Sequence, residues 1–297
     1  MLPFVSVCTP TYNRRPFIPT MLKCFLHQDY PMDRMEWVIV DDGTDGIEDL
    51  LLAANIPQIK YVRLPAKVPL GEKRNIMHRH AVGEILVYMD DDDYYPPERV
   101  SHAVEVLQAN PQALCAGSTI LFIYFKHLDK IMQFGPYGSR HATAGTFAFR
   151  RELLADTAYE DTAALGEERA FLKNYTVPFV QLDPQKVILV FSHSHNTFDK
   201  KTLLIDPSKT IVRESPLQVT DFVHDIDILH FFLDRMHVAL AAYGPGDPAL
   251  KPDVQAQMAK ISIKFGDKIL TGNEILDQLN YQQRYIELLK SKLNSRS

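Results

Sequence analysis

The segment Gly83-Glu84-Ile85-Leu86-Val87-Tyr88-Met89-Asp90-Asp91-Asp92-Asp93 sets the architecture of this chain. Ile85 to Met89 are apolar without polar alternation, so they read as a strand buried on both faces. Four carboxylates follow at once. Adjacent carboxylates repel one another, which raises some of their pKa values unless a cation is near. Hard oxygen donors of this kind suit Mg²⁺ or Mn²⁺. The plainer reading is a solvated acidic turn that complements the start of the next helix. The position after a buried strand, with Tyr94-Tyr95 and Pro96-Pro97 following, favours the first reading.

Working outward, residues 4–9, 35–41 and 59–64 give three more apolar strands. Residues 17–28, 47–54, 73–81 and 98–109 read as the helices around them. In the last of these, Val100, Ala103, Val104 and Leu107 recur at helical spacing. Strands alternating with helices predict an α/β fold, a mostly parallel sheet covered on both faces. Ligands of such sheets sit beyond the carboxyl ends of the strands. The middle of the chain offers strand signals at 113–125, 130–134, 146–149, 179–182 and 187–191, with a helix starting near Glu167. Residues 222–243 look helical, and Gly244-Pro245-Gly246-Asp247-Pro248 ends that run. Ile275, Leu279, Ile286, Leu289 and Leu293 mark a final helix, with Thr271 and Glu274 as its capping box.

Composition narrows the function classes. The chain has 297 residues, 46% hydrophobic and 23% charged, which fits a folded protein with a real core. Its 32 basic and 37 acidic residues leave a net charge of −5, so nucleic acid is not an expected partner. Three cysteines without paired metal spacing fit reduced thiols, and a cytoplasmic location is expected. The longest uncharged apolar run, 117–125, is too short to span a bilayer. Attachment to a membrane surface stays open.

The other strand ends carry candidate ligand groups. In Pro10-Thr11-Tyr12-Asn13-Arg14, the tyrosine either stacks on a base or merely follows a proline turn. In Asp41-Asp42-Gly43, an aspartate either accepts from a base or ribose or makes an Asx turn. In Gly71-Glu72-Lys73-Arg74-Asn75, the opening helix with its two cations either favours an anion or is an ordinary charged first turn.

Taken in order, residues 5–14, 36–43, 71–75 and 83–93 resemble glycosyltransferase family 2, whose strand runs into an Asp-x-Asp-Asp motif. The resemblance is good over residues 2–98, fair to about 198 and absent beyond about 206. It implies the GT-A nucleotide-sugar-binding fold, with residues 1–205 as the transferase domain. Within that domain, 1–98 is the nucleotide half and 99–205 the acceptor half, and 206–297 is a helical extension. It implies that Pro10, Thr11 and Tyr12 line the base pocket, that Asp42 bonds the base, and that Arg74 helps hold the nucleotide. Asp90 and Asp91 would contact the ribose and the metal shell, with Asp92 the main protein ligand of Mn²⁺ or Mg²⁺. Gly166-Glu167-Glu168-Arg169 resembles the family's Glu-Asp pair, which implies Glu168 as catalytic base and Glu167 as the next candidate. The family's usual aspartate is here a glutamate. Residues 144–151 resemble the acceptor-side segment, where Gly145 would let backbone approach the sugar. Some GT-A enzymes take a further metal ligand from a C-terminal histidine, which implies His195 or His193. Lys200 and Lys201 either meet the diphosphate or form a charged surface loop.

The expectation is therefore an inverting, metal-dependent transferase. It would move sugar from a nucleoside diphosphate sugar, first of all a UDP-sugar, to a hydroxyl of a glycan or glycoconjugate. Two alternatives accompany it. A sugar nucleotidyltransferase would need a glycine-rich phosphate loop after the first strand, and residues 10–15 hold no glycine. A non-catalytic sugar- or partner-binding module would not need the intact acidic run and Glu167-Glu168. The C-terminal helices are expected to cover a sheet edge, because their leucine spacing covers only about two heptads and is interrupted by Gln282, which favours packing over a coiled coil; self-association stays open.

Overall fold

The computed structural model describes residues 2–164, 166–204, 211–260, 262–265 and 268–271. The first half alternates strand and helix: β1 (Val5–Thr11), α1 (Ile18–Leu26), β2 (Met35–Asp41), α2 (Glu48–Ala54), β3 (Ile59–Arg63), α3 (Leu70–His80), β4 (Ile85–Tyr88) and α4 (Arg99–Ala109). The second half adds β5 (Cys115–Gly117), β6 (Leu121–Phe125), β7 (Lys130–Phe134), β8 (Ala148–Arg150), α5 (Glu168–Phe171), β9 (Phe179–Gln181), β10 (Leu189–Ser192) and β11 (Val212–Glu214). Beyond these come α6 (Ile226–His230), α7 (Met236–Ala241), α8 (Pro252–Lys260), β12 (Ser262–Phe265) and β13 (Lys268–Thr271).

The main sheet has the order β3-β2-β1-β4-β8-β5-β9. Its first four strands are parallel, and β8 runs antiparallel between β4 and β5. Strands β10, β6, β7 and β11 form a second sheet. The chain leaves β1 towards β2 on one side and later returns to β4 on the other. A crevice opens at such a reversal, outside the carboxyl ends of the strands. A buried polar chain ties those ends together. Trp37 Nε1 donates to Thr9 Oγ1 at 2.9 Å, and Thr9 Oγ1 donates to the Met89 carbonyl at 2.6 Å. The Trp37 ring stacks on Phe25 of α1 at 4.3 Å, so the same residue anchors the core on one face of the sheet.

Three expectations change. The strand signal at 113–125 is two strands in two sheets, because Ser118 bonds Ile120 through its side chain and turns the chain between them. A hydrophobic run alone does not show such a switch. Helix α3 starts at Leu70, just after Pro69, so Lys73 lies inside the first turns rather than at the opening. The segment after 205 is not a separate extension. Strand β11 pairs with β7, and Phe232, in the π-helical turn Phe231–Arg235 between α6 and α7, stacks on Phe191 at 4.0 Å. Compact units instead divide at Met1–Asp247 and Pro248–Ser297. The second unit holds the β12–β13 hairpin as well as α8. The expected final helix lies outside the described residues, as does Glu274 of its capping box. Thr271 ends β13.

On the other face of the sheet, His78 is buried among Tyr88, Phe149, Tyr159 and Phe171, with its Nε2 2.6 Å from the Tyr88 hydroxyl. Burial, helped by the nearby Arg74 charge, pushes its pKa down to about 3. Below the ordinary histidine value of about 6.5 the unfolded chain binds a proton that the folded chain refuses. Stability contributed by this site is therefore full above that value and falls as pH drops towards 3. The expected loss is about 2 kcal/mol by pH 5. Urea unfolding at pH 7 and pH 5 checks it: the drop should shrink in His78→Gln. Equal drops in both proteins would contradict the assignment.

Candidate active site

Three loops meet at the carboxyl edge of the parallel strands. The acidic run leaves β4, the loop from Tyr12 to Arg14 leaves β1, and Asp42-Gly43 leaves β2. Each follows directly from a buried strand, so its side chains are held by rigid backbone.

Four carboxylates are crowded here, and their surroundings differ. Arg14 is buried and spans two of them, with Nε 3.6 Å from Asp91 and Nη2 3.2 Å from Asp92. Asp92 also lies 3.2 Å from His193 Nε2. Burial alone would raise the Asp92 pKa, but Arg14, His193 and the charge of Lys200 together hold it well below the usual carboxylate range. Asp91 is raised by burial, against the pull of Arg14, with Asp92 adding to the rise. Asp90 is raised by burial as well, despite Arg74. Asp93 accepts from the Phe191 N–H at 3.1 Å, and burial and the Asp92 charge push it well above its ordinary value. One carboxylate is thus firmly ionised and its neighbours are restrained from ionising, the result expected for like charges at close range.

Arg74 joins this run to the second half of the chain. Its Nε donates to Glu167 Oε1 at 2.9 Å, and its Nη2 lies 3.9 Å from Asp90. The guanidinium sits over the Tyr88 ring at 4.6 Å, a cation–π contact that fixes its plane. Glu167 is buried by this pairing. Glu168 opens α5, is partly exposed, and has its pKa raised by burial and by the Glu167 charge. The structure therefore separates the two acids: Glu167 holds an arginine, and Glu168 keeps a carboxylate disposed to take a proton. Gly145 closes the same region from β8's side. A Cβ placed on it would stand 2.9 Å from Asp90 Oδ2. Tyr95 Oη accepts from the Asp90 N–H at 2.7 Å and donates to the Gly145 carbonyl at 3.3 Å, fixing both backbones.

On the β1 and β2 side, Asp42 is buried with Oδ1 ion-paired to Lys73 and Oδ2 accepting from the Val68 N–H at 2.9 Å. Lys73 also donates to the Thr11 carbonyl at 2.9 Å. Lys73 thus locks two loops together rather than waiting for an anion at a helix start. Burial lowers its pKa, while Asp42 opposes the shift. Tyr12 presents its ring to cations, with Lys67 Nζ 5.0 Å and Lys73 Nζ 5.8 Å from its centroid. Asn13, in the left-handed region at φ 51°, accepts from the Asp45 N–H at 2.9 Å. It needs Gly43 beside it, where a Cβ would lie 2.6 Å from the Asn13 nitrogen.

Of the two histidines, His193 is the one placed against Asp92. Its Nδ1 accepts from the His195 N–H at 3.2 Å, and burial drives its pKa down to about 3. His195 lies beside Tyr243 and against Gly246, where a Cβ would come 2.5 Å from its Nδ1.

Residue types and unmatched atoms both bear on a divalent ion. Asp90 Oδ1 and Asp91 Oδ2 are buried carboxylate oxygens without a hydrogen-bond partner, and both suit Mg²⁺ or Mn²⁺. Among the described residues, no group of three or more His, Cys, Asp or Glu converges to enclose an ion. The fit is to an ion held through one or two carboxylates that completes its shell with substrate oxygens and water.

Sequence reasoning left Arg14 without a role in the site and gave Lys73 a different one, an anion at a helix start, where the structure turns it to Asp42 and the Thr11 carbonyl. Arg14 carried a signal, since it stands at the end of the β1 loop, at the same sheet edge as the acidic run. The pairing of Arg74 with Glu167 had none, because the two lie 93 positions apart.

An acidic run beyond a parallel sheet, joined through an arginine to an acid pair from the second half, belongs to a GT-A type fold. The chain is a member of glycosyl transferase family 2, whose model matches residues 6–158. It is 34% identical over 102 residues to the putative colanic acid biosynthesis glycosyl transferase WcaA of Escherichia coli, covering 33% of this chain and 36% of that protein. It is 28% identical over 107 residues to an uncharacterized glycosyltransferase of Haemophilus influenzae, covering 36% of this chain and 35% of that one. The matched part spans about a third of the length of these relatives. Among solved structures, the mannosyltransferase PcManGT from Pyrobaculum calidifontis, in complex with GDP-Man and Mn²⁺, superposes with a TM-score of 0.53 at 19% identity. The match covers 88% of this chain and 81% of that one, a likeness of fold. The expected α/β class and family hold. No helix among the described residues is long and apolar enough to cross a membrane.

Proposed function

We propose that this chain is an inverting glycosyltransferase that moves a sugar from a nucleoside diphosphate sugar to an acceptor hydroxyl on a glycan or glycoconjugate. The observation that carries the reading is the Arg74 bridge. It brings the acidic run and the Glu167-Glu168 pair to one crevice, so a donor's leaving group and an acceptor's proton can be handled together.

In this reading Tyr12 stacks on the base, and Pro10 and Thr11 line its pocket. Asp42 keeps the loops after β1 and β2 in register through Lys73 and is the base's hydrogen-bond partner. Asp90 and Asp91 meet the ribose and metal shell. Asp92 is the main protein ligand of Mn²⁺ or Mg²⁺, with His193 or His195 as the further candidate. When bound, the ion supplies positive charge to the diphosphate as it departs. Glu168 accepts the acceptor hydroxyl's proton. As the acceptor oxygen bonds the anomeric carbon, the bond from that carbon to the diphosphate oxygen breaks. Attack comes from the face opposite the diphosphate, and the nucleoside diphosphate leaves. Arg74 holds Glu167 and Asp90 in place, and alignment of donor with acceptor supplies much of the rate.

A donor panel tests this. UDP-sugars come first and GDP-mannose is included, each with Mn²⁺ and with chelator, scored by nucleoside diphosphate release. Metal-dependent release from at least one donor is expected. Release of pyrophosphate from a nucleoside triphosphate, or no release from any donor, would overturn the reading.

Gly145→Ala tests the donor-side geometry. The added methyl meets the Asp90 carboxylate, so kcat/KM for donor should fall about 10- to 100-fold with the thermal midpoint little changed. Unchanged kinetics would show that Asp90 is not held by that approach.

A further inference from the structure

Three aromatic rings from two separate loops lie in contact, the third of them seven residues after Glu168. Tyr137 and His141 lie on the segment between β7 and β8, with ring centroids 5.0 Å apart. Tyr175 follows α5 and lies 5.2 Å from His141. Tyr137 is 42% exposed, and Tyr175 and His141 are half-buried.

Both loops are held by their backbones, and Tyr137 is the most exposed of the three rings. Thr119 Oγ1 accepts from the Tyr137 and Gly138 N–H groups at 2.8 and 3.1 Å. Gln181 Nε2 donates to the Ser139 and His141 carbonyls at 2.9 and 3.1 Å. Across from them, Lys173, Asn174 and Tyr175 occupy the left-handed region in succession, at φ 50°, 55° and 63°. Non-glycine residues rarely adopt it even singly, and such strain gathers at functional sites. Here the turn is pinned by the Asn174 N–H to the Arg169 carbonyl at 2.9 Å and by Arg169 Nε to Asn174 Oδ1 at 2.9 Å. Its product is the position of the Tyr175 ring.

The surface is tethered to both halves of the chemistry. His141 precedes Gly145, which packs on Asp90, by four residues. Tyr175 is close enough to Glu168 for that carboxylate to add to the rise that burial gives its phenol pKa. His141 Nδ1 is buried without a hydrogen-bond partner.

Resting on the transferase reading, we propose that Tyr137, His141 and Tyr175 form the acceptor subsite, and that its ligand is the pyranose ring bearing the attacking hydroxyl. One face of such a ring presents C–H bonds to the negative face of an aromatic ring. Its hydroxyls find partners in the two phenols. A linear polyol has no such face to lay down.

Saturation-transfer NMR on the whole chain tests the subsite without catalysis. The probes are methyl gluco-, galacto- and mannopyranosides, ribitol and uridine. The wild type should transfer saturation to the ring C–H protons of at least one pyranoside and leave ribitol unaffected. Tyr137→Ala should weaken that binding about tenfold, and Tyr137→Phe should restore most of it. Acceptor-free release of nucleoside diphosphate should be unchanged in both variants. The subsite is refuted if no pyranoside binds, if Tyr137→Ala binds as the wild type does, if ribitol takes the same saturation, or if the pyranoside signal is displaced by uridine, which belongs to the base pocket. Absence of nucleoside diphosphate release from the wild type, with ring binding intact, would instead remove the transferase reading and keep a sugar-binding surface.

Discussion

Glu168→Gln is expected to lower transfer about 10²- to 10⁴-fold, the usual range for loss of a positioned base, while nucleotide-sugar binding stays as in the wild type. The amide keeps the shape of the side chain and one acceptor oxygen and removes its ability to accept the hydroxyl proton. Burial and the neighbouring Glu167 charge raise the Glu168 pKa. A base works only when deprotonated, so the acid limb of kcat/KM should fall at a pH above that of an ordinary glutamate and disappear in the glutamine variant. The matched substitution Glu167→Gln should behave differently. It breaks the ion pair with Arg74, so it should perturb stability and donor binding along with rate. Near-normal turnover in Glu168→Gln would refute the base assignment.

Asp92→Asn is the second large effect expected. Asp92 is the one member of the run held firmly ionised, by Arg14 and His193 against its burial. Removing its charge should abolish the metal dependence of donor binding and lower transfer about 10³-fold, equal to about 4 kcal/mol of leaving-group stabilisation. Asp93→Asn should act otherwise, since Asp93 serves the Phe191 backbone. Its effect should fall on stability more than on metal affinity. Steady-state rates against Mn²⁺ concentration, with thermal midpoints for each variant, separate the two.

The first half of the fold was legible because β1, β2 and β4 are continuous apolar runs that end in chemically conspicuous residues. A strand buried on both faces leaves that mark whatever surrounds it. The second half was less legible because its strands are three to five residues long and change sheets, as the turn at Ser118 shows. Single candidates such as Asp90, Asp92 and Arg74 could be named from their motifs. Their partners could not: Glu167 meets Arg74, His193 meets Asp92 and Gly145 meets Asp90 only through tertiary folding. Lys73 shows the same limit from the other side. Its place in a charged helical turn suggested an anion, and burial turned it inward to Asp42 and the Thr11 carbonyl.

The most direct measurement is a thermal-shift titration of UDP and GDP against the wild type and Asp92→Asn, each with Mn²⁺ and with chelator. A ligand that binds only the folded state raises its midpoint, by an amount that grows with the logarithm of ligand concentration over its dissociation constant. The account predicts a nucleotide-dependent rise in the wild type that requires Mn²⁺ and is lost in Asp92→Asn. An equal rise with chelator present, or an undiminished rise in Asp92→Asn, would contradict it.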